Sequence, residues 1–418
     1  MNGVFFDEIQ DLKDEIFAVF KDLHQHPEEG FCEYRTAKIA ADWLRACGAE
    51  VTENVALTGV VGVLDSGKPG KTLMIRADMD CLAVRELAKT GYESLTDGKM
   101  HACGHDAHVT MLLAAARVLS RHKEAFCGKI KFVFQPAEEG IPEAAREKVK
   151  AAGYGGEGGA GFMVQQGVLA GVDACLIMHV QPALPVGKVS VARRNACASS
   201  DVFRITLRGK GGHGAQPQNA VDPVPAMAEL ISAIHMLPTR EVSALETCVL
   251  SVGSVETPGS VWNAVAEKAC ISGGIRTFSA KVRELLNRRV QELAQGIAAA
   301  NRCAAECERG VGYAPCINDE AIARAVAQIC QGALGKENVI FTDEPAMTSE
   351  DCGAYLERIP GAFFWLGVGS GDAPAPLHSP YFSLNPEALC CGVQVHVCCA
   401  VNLLNTLNVE AESERGEL

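Results

Sequence analysis

The sequence predicts an α/β protein, a largely parallel mixed sheet covered by helices, with a smaller α+β unit inserted into it. Three observations lead there. Strand-like and helical stretches alternate through most of the chain. A different rhythm interrupts that alternation between about residues 187 and 312. The 418 residues also exceed a single ordinary core, since domains hold roughly 100–200 residues each.

Residues 7–26 carry Ile9, Leu12, Ile16, Val19, Phe20 and Leu23 at helical spacing, and a second helix spans about 34–47 before Gly48, a C-terminal glycine signal. Short apolar strands follow at 59–65 and 72–77, then a helix at about 108–120. The alternation resumes with strands at 130–134 and 174–179, a helix at 322–334 and a strand at 362–366. Within 187–312 the order is strand 201–207, helix 223–236, strands 248–255 and 267–277, helix 281–301, strand 304–310. That β-α-β-β-α-β order is ferredoxin-like. Asp222-Pro223 marks the first of its helices as N-cap and first helical residue. The expected division is therefore 1–186 with 313–418 as one domain and 187–312 as a satellite.

A formal net charge of −13 and a pI near 5.4 exclude the basic stripe of a nucleic-acid reader. Eighteen cysteines are only about 4% of the chain, below the ~8–10% of a disulfide scaffold. The start, Met1 to Glu8, lacks a basic region and turns acidic before an apolar run develops, so a secretory signal is not expected. Reduced thiols and a cytoplasmic location follow as expectations. Most cysteines, Cys390, Cys391, Cys398 and Cys399 among them, read as small buried hydrophobes. No window holds the roughly 18 uninterrupted apolar residues of a bilayer-spanning helix.

Cys103 is set apart by its neighbours. Met100-His101-Ala102-Cys103-Gly104-His105-Asp106 places a thiolate and an imidazole two residues apart, a combination suited to a borderline-soft divalent metal. The strand at 129–134 runs into Gln135-Pro136-Ala137-Glu138-Glu139-Gly140, whose adjacent carboxylates diverge, so that one can hold metal while the other moves protons. Ligands of open α/β sheets gather beyond the carboxyl ends of strands. Asp78, Glu138, Glu139 and His179 all follow or end apolar strands. His24, His26, His122, His235 and His396 sit on or next to helices and are expected to be structural or surface residues without acidic or thiol partners. His101 and His108 flank the Cys-Gly-His motif, and a supporting role for them stays open. On spacing alone, a metal site and coincidence both remain open.

Further motifs carry a resemblance. They are Arg76-Ala77-Asp78-Met79-Asp80, the 100–106 segment, 134–140, Gly158-Gly159-Ala160 through His179, Gly211-Gly212-His213-Gly214-Ala215-Gln216-Pro217, Gly274-Ile275-Arg276-Thr277, Ser349-Glu350-Asp351 and Pro376-Leu377-His378-Ser379-Pro380. In this order, across nearly the whole chain, they resemble the di-metal amidohydrolases that include hippurate hydrolases, N-acyl-amino-acid amidohydrolases and indole-acetyl-amino-acid hydrolases, relatives of aminoacylases and carboxypeptidases. The resemblance implies a zinc-peptidase-like catalytic domain, a satellite used for dimerisation, and hydrolysis of N-acyl amino acids or related small amides. It implies Cys103, His105, Glu139, His179 and His378 as ligands of two divalent metals, Mn or Zn with Co or Ni able to substitute. Glu138 is the implied general base, and Asp78 the residue that orients a ligand. His213 is the implied stabiliser of the substrate carbonyl, often supplied by a partner subunit, and Asn263 and Arg276 the implied clamp on a free carboxylate.

Departures from the family pattern are Ala264-Val265-Ala266 after Asn263, where Ile-Pro is usual, Cys81-Leu82-Ala83-Val84 after Asp80, and Cys352 after Asp351. The stretch 141–157 looks inserted, and 142–152 is expected to form a short charged helix tethered by glycines, a candidate lid. The glycines at 209–214 lack the Gly-Lys-Ser/Thr ending of a phosphate loop. A dipeptidase or aminopeptidase of the same fold is the rival enzyme, and a binding homologue without turnover the rival of another class. Nucleobase deaminases need His-x-Glu together with Pro-Cys-x-x-Cys, and the sequence holds no Pro-Cys-x-x-Cys.

Overall fold

The computed structural model describes residues 2–156, 158–310, 312–369 and 373–416. Two compact units emerge. One comprises 1–196, 317–345 and 351–418, and the other 197–316 and 346–350. The first unit thus runs to Ala196 rather than to residue 186, because Val189–Ala192 is a strand of its sheet.

That sheet has eight strands. In chain order the first six are β1 (Glu50–Val55), β2 (Gly59–Asp65), β3 (Thr72–Asp78), β4 (Lys129–Gln135), β5 (Ala174–Pro185) and β6 (Val189–Ala192). Across the sheet they run β1-β2-β4-β3-β5, then the strand Gly361–Gly369, then β6, then Val339–Thr342. The four central strands, β4, β3, β5 and Gly361–Gly369, are parallel, whereas β1 and β2 pair antiparallel at one edge. Leu73, Met74 and Ile75 of β3 are wholly buried on both faces, as a parallel strand covered on both sides requires. The helix His105–Arg121 and the C-terminal helix Glu387–Gly416 pack together over this sheet, burying Met111, Leu112, Ala115, Val393, Val397 and Ala400. Glu387–Val409 is apolar and long enough to cross a membrane, yet 78% of its most apolar window is buried inside the protein. Its apolar surface is therefore consumed by the core.

The second unit contains a four-stranded antiparallel sheet, ordered Cys248–Glu256, Lys268–Thr277, Asp201–Arg208, Ala304–Arg309. The helices Pro223–Arg240 and Ala280–Ala300 cover one face through Met227, Leu230, Ile234, Leu286, Val290 and Ala294. Both helices begin at a side-chain cap, Asp222 Oδ1 accepting from the Val224 N–H at 3.0 Å and Ser279 Oγ from the Val282 N–H at 3.4 Å. Asp201 is buried and paired with Arg283 at 2.6 Å.

Two features of the first unit differ from expectation. The inserted segment does form a helix, Glu143–Ala151, but it is fastened rather than hinged. Ala145 and Val149 are buried, Lys148 lies over the Tyr34 ring, and Tyr154 stacks on Phe162 with ring centroids 4.7 Å apart. Glu157, the last inserted residue, lies outside the described residues. The second difference is His24, which has acidic company after all: Nδ1 bonds Asp106 Oδ2 at 2.6 Å and Nε2 bonds Glu86 Oε1 at 3.2 Å. Burial opposes charge on this imidazole, but Asp106 and then Glu86 outweigh it and raise the group to about 10.

Replacing Tyr154 with Ala is expected to lower unfolding free energy by about 2 kcal/mol in a urea titration, through lost burial and stacking. A loss near zero would mean that the insert is not fastened to the core. Because the folded state raises His24 above its ordinary 6.5, its ion pair adds stability that is fully present below pH 6.5 and is lost as pH rises through about 10. Urea titrations of His24→Gln beside the parent should show a gap that closes over this range, and a constant gap would contradict the assignment.

Candidate metal centre

The carboxyl ends of the central strands carry the polar residues. β3 ends in Asp78, β4 leads through Gln135 and Pro136 to Glu138 and Glu139, and β5 contains His179. Cys103 and His105 flank Gly104, the residue from which the helix His105–Arg121 starts. Gly104 has φ +82°, and a Cβ there would lie 2.5 Å from Val180 Cγ2. Conformation and close approach both demand glycine at this point. Ala137 (φ +51°) and His378 (φ +64°) also adopt left-handed backbone, at a cost of about 1–3 kcal/mol each. Both strained residues border the same cluster.

The side chains converge. Cys103 Sγ lies 3.5 Å from His179 Nε2 and 3.3 Å from His378 Nε2, and His378 Nε2 lies 3.2 Å from Glu139 Oε1. Donor atoms of Cys103, His105 and Glu139 all lie within 4.8 Å of one another, and so do those of Asp78, His105, His108 and His179. Glu138 Oε2 is 3.9 Å from His105 Nε2, and its Oε1 accepts the Asp351 N–H at 3.4 Å. His378 is about half exposed at the edge of this buried group.

Behind the cluster lies a wholly buried guanidinium. Arg76 donates to Gln135 Oε1 through Nε (2.8 Å), to Asp78 Oδ2 through Nη1 (2.6 Å) and to Asp351 Oδ1 through Nη2 (3.1 Å). Gln135 Nε2 donates onward to both Asp351 oxygens, and the Tyr355 hydroxyl to Gln135 Oε1. Burial disfavours the charged form of Asp78, but Arg76, His105 and His108 hold its carboxyl well below the usual range.

The ring tautomers follow from the partners. His108 Nε2 accepts the Val180 N–H at 2.9 Å, so Nδ1 carries the proton and donates to Asp78 Oδ1 at 2.5 Å. His108 is thus a supporting residue, the role that spacing left open. His105 Nδ1 donates to the Asp80 carbonyl at 2.9 Å, and His179 Nδ1 to the Val180 carbonyl at 2.8 Å. Each leaves Nε2 aimed at the cluster. Burial, with His108 beside it, keeps His179 neutral, its pKa well below the ordinary value. At His105 burial is outweighed by Asp78 and Asp80, which raise the imidazole to about 10. Burial and the carboxylates of Glu139 and Glu138 push the Cys103 thiol well up.

This donor set fits divalent metal. Two of its buried atoms, His105 Nε2 and Glu139 Oε1, make no hydrogen bond. The carboxylates that lift both His105 and Cys103 create a field that favours positive charge among the donors, and a cation answers it as a proton would. Second-layer carboxylate and carbonyl partners on the imidazoles are what ligand histidines use to fix their orientation.

The remaining expected residues belong to the second unit. His213 and Asn263 lie side by side there. His213 pairs with Ala264 across a two-stranded ladder, the Gly214 N–H donates to the Asn263 carbonyl at 3.0 Å, and both side chains are exposed. Arg276 sits apart from them on the strand Lys268–Thr277, and its Nη1 is buried without a hydrogen-bond partner. Asp80, Arg76, Asp351 and Tyr355 support the first unit's cluster, although sequence reasoning assigned them no role. An arginine inside the apolar run Thr72-Leu73-Met74-Ile75-Arg76-Ala77 was the available signal.

Known proteins resemble this chain over most of its length. The sequence pattern of peptidase family M20/M25/M40 matches residues 74–402. IAA-amino acid hydrolase ILR1-like 4 of Arabidopsis thaliana is 35% identical over 401 residues, which cover 94% of this chain and 87% of that one. N-acetylcysteine deacetylase of Bacillus subtilis (strain 168) is 34% identical over 388 residues, covering 93% and 96%. Among solved structures, the Bacillus subtilis YxeP protein, described as a dinuclear metal-binding peptidase of the M20 family, superposes with a TM-score of 0.78 at 30% identity, over 95% of this chain and 99% of that one. A match spanning most of the chain, and relatives a third identical over nearly their full length, lead to one conclusion: the chain belongs to peptidase family M20/M25/M40 and is a metal-dependent hydrolase.

Proposed function

We propose that the protein hydrolyses the amide bond of N-acyl amino acids or related small conjugates, releasing a carboxylic acid and the amine of an amino acid. The observation that carries this reading is the convergence of Cys103, His105, Glu139, His179 and His378 beside Glu138, in a chain whose relatives are named as an IAA-amino acid hydrolase and an N-acetylcysteine deacetylase. Cys103, His105, Glu139, His179 and His378 would hold two divalent metals, Mn or Zn, with Co or Ni able to substitute. Thiolate favours zinc, while imidazole and carboxylate suit either metal. Bound there, the metals supply Lewis acidity, lowering the pKa of water and polarising the amide carbonyl.

The chain's own residues supply the rest. Glu138 takes a proton from the attacking water and delivers it to the leaving nitrogen as the C–N bond breaks, so the water oxygen ends on the acyl carbon and its protons are shared between products. Asp78, held ionised by Arg76, orients His108 by accepting its Nδ1–H. His213 would donate to the carbonyl oxygen as negative charge develops. Asn263 and the Arg276 fork would hold the substrate's free carboxylate, a role supported by the unpartnered Arg276 Nη1. Two further readings accompany this one. Trp262 and Leu245 of the second unit are each 97% exposed, apolar surface that a second copy would cover in a homodimer. Eighteen cysteines, all thiols in the structure, support a cytoplasmic location.

The test is a panel of N-acetyl, N-benzoyl, N-indole-acetyl and p-aminobenzoyl amino acids, with a dipeptide alongside, offered to metal-stripped protein reloaded with Mn or Zn. Metal-dependent release of the amino acid from an acylated member is expected, and cleavage of the dipeptide alone would replace this reading with a dipeptidase. Glu138→Gln is expected to lower kcat by about 10²–10⁴-fold while retaining metal. Retained turnover in that variant would remove Glu138 from the mechanism.

A further inference from the structure

Glu33 is wholly buried, and the mechanism above gives it no task. It occupies the position just before the helix Tyr34–Ala46, where an acidic side chain would ordinarily turn back to cap the helix. It does not. Glu28 caps instead, accepting the Arg35 N–H at 2.9 Å, the Thr36 N–H at 2.8 Å and the Thr36 hydroxyl at 3.0 Å. The Glu33 carboxylate points the other way, with Oε1 accepting the Ala137 N–H at 2.9 Å and Oε2 accepting the Thr58 hydroxyl at 2.5 Å.

Ala137 is the left-handed residue immediately before the two glutamates, with φ +51°. Its carbonyl accepts the Gly159 N–H at 2.9 Å, and two residues on, the Glu139 N–H donates to Asp80 Oδ2 at 3.0 Å. The loop bearing Glu33 lies against the same backbone: a Cβ on Gly30 would sit 2.8 Å from Ala137 Cβ and 2.9 Å from the Gly140 carbonyl oxygen. Relaxing Ala137 to ordinary helical backbone would turn its φ by roughly 110° and swing everything after it. The two carboxylates would then leave their present places beside His105 and His378.

We propose that Glu33 is a positioning residue for Glu138 and Glu139: by accepting the Ala137 N–H it holds Ala137 left-handed, and that conformation sends one carboxylate toward His105 and the other toward His378. The proposal rests on the roles given to the two glutamates above.

The experiment compares Glu33→Ala, Glu33→Gln and Thr58→Val in the full chain, reading kcat and KM on the best substrate of the panel, metal affinity by titration of stripped protein, and urea unfolding. Glu33→Ala is expected to lower kcat by about 10²-fold with KM little changed, the effect of a small misplacement. Its metal affinity should fall about tenfold, as when a supporting partner is removed. Glu33→Gln keeps an acceptor oxygen and should stay near the parent in both, as should Thr58→Val. Ala137→Gly added to Glu33→Ala should restore part of the loss, because glycine reaches positive φ freely; a mere cavity would not respond. If Glu33→Ala does not fold, Glu33→Asp, too short to reach the Ala137 N–H, carries the same expectation. Folded Glu33→Ala or Glu33→Asp with parental kcat and metal affinity would overturn the proposal, and so would equal losses in Glu33→Gln and Glu33→Ala. Should the parent turn over no panel member, or Glu138→Gln remain active, the functional reading fails, while the metal affinities of the Glu33 series still decide the positioning role.

Discussion

A guanidinium cut off from water is the constraint on which the first unit depends. Arg76 cannot lose its charge, and leaving it buried without partners would be prohibitive, so the fold must bring it acceptors. It draws them from β3 itself, from the end of β4 and from the segment that precedes Tyr355. Strand ends that hydrophobic packing alone would leave free to slide are thereby locked in register. Such a network is a poor source of net stability compared with apolar packing, and its merit is specificity of arrangement. One oxygen of Asp78 is tied to Arg76 and the other to His108, so the guanidinium's charge reaches the histidine layer through two hydrogen bonds.

Much of the fold was legible because its signals are local. Apolar runs such as Leu73-Met74-Ile75 and Leu176-Ile177-Met178 are buried on both faces, so they read as continuous strands without alternation. The antiparallel edge was harder. β1, Glu50-Val51-Thr52-Glu53-Asn54-Val55, is largely exposed and has no apolar pattern to announce it, and β6 is only four residues long. The shift of the unit boundary to Ala196 comes from β6, whose membership in the large sheet is settled by pairing with residues about 150 positions later and not by its own composition.

The site divides the same way. Cys103-Gly104-His105 and the Glu138-Glu139 pair are contiguous, so their chemistry shows in the sequence, although which glutamate serves which end came from resemblance. His24 shows the opposite case. Its acceptor Asp106 lies 82 residues away, and no spacing rule links a helix histidine to a carboxylate across a fold. Glu33 was equally hidden, because its position before a helix suggests capping, and only the third dimension reveals that Glu28 has taken that role. Polar residues that act through tertiary hydrogen bonds leave no periodicity to read.

The order in which the chain is made adds a further consequence. Cys103, His105, Glu139 and His179 are all synthesised before the second unit begins, whereas His378 comes about 200 residues after His179, an interval of roughly 10–40 s at ordinary ribosomal speeds. The helix Glu387–Gly416, which covers one face of the sheet, arrives later still. For that interval the nascent chain carries a thiol, two imidazoles and an uncovered apolar face, with His378 and the covering helix not yet made. Interleaving one unit within another thus keeps His378 from joining the cluster until the second unit has been made.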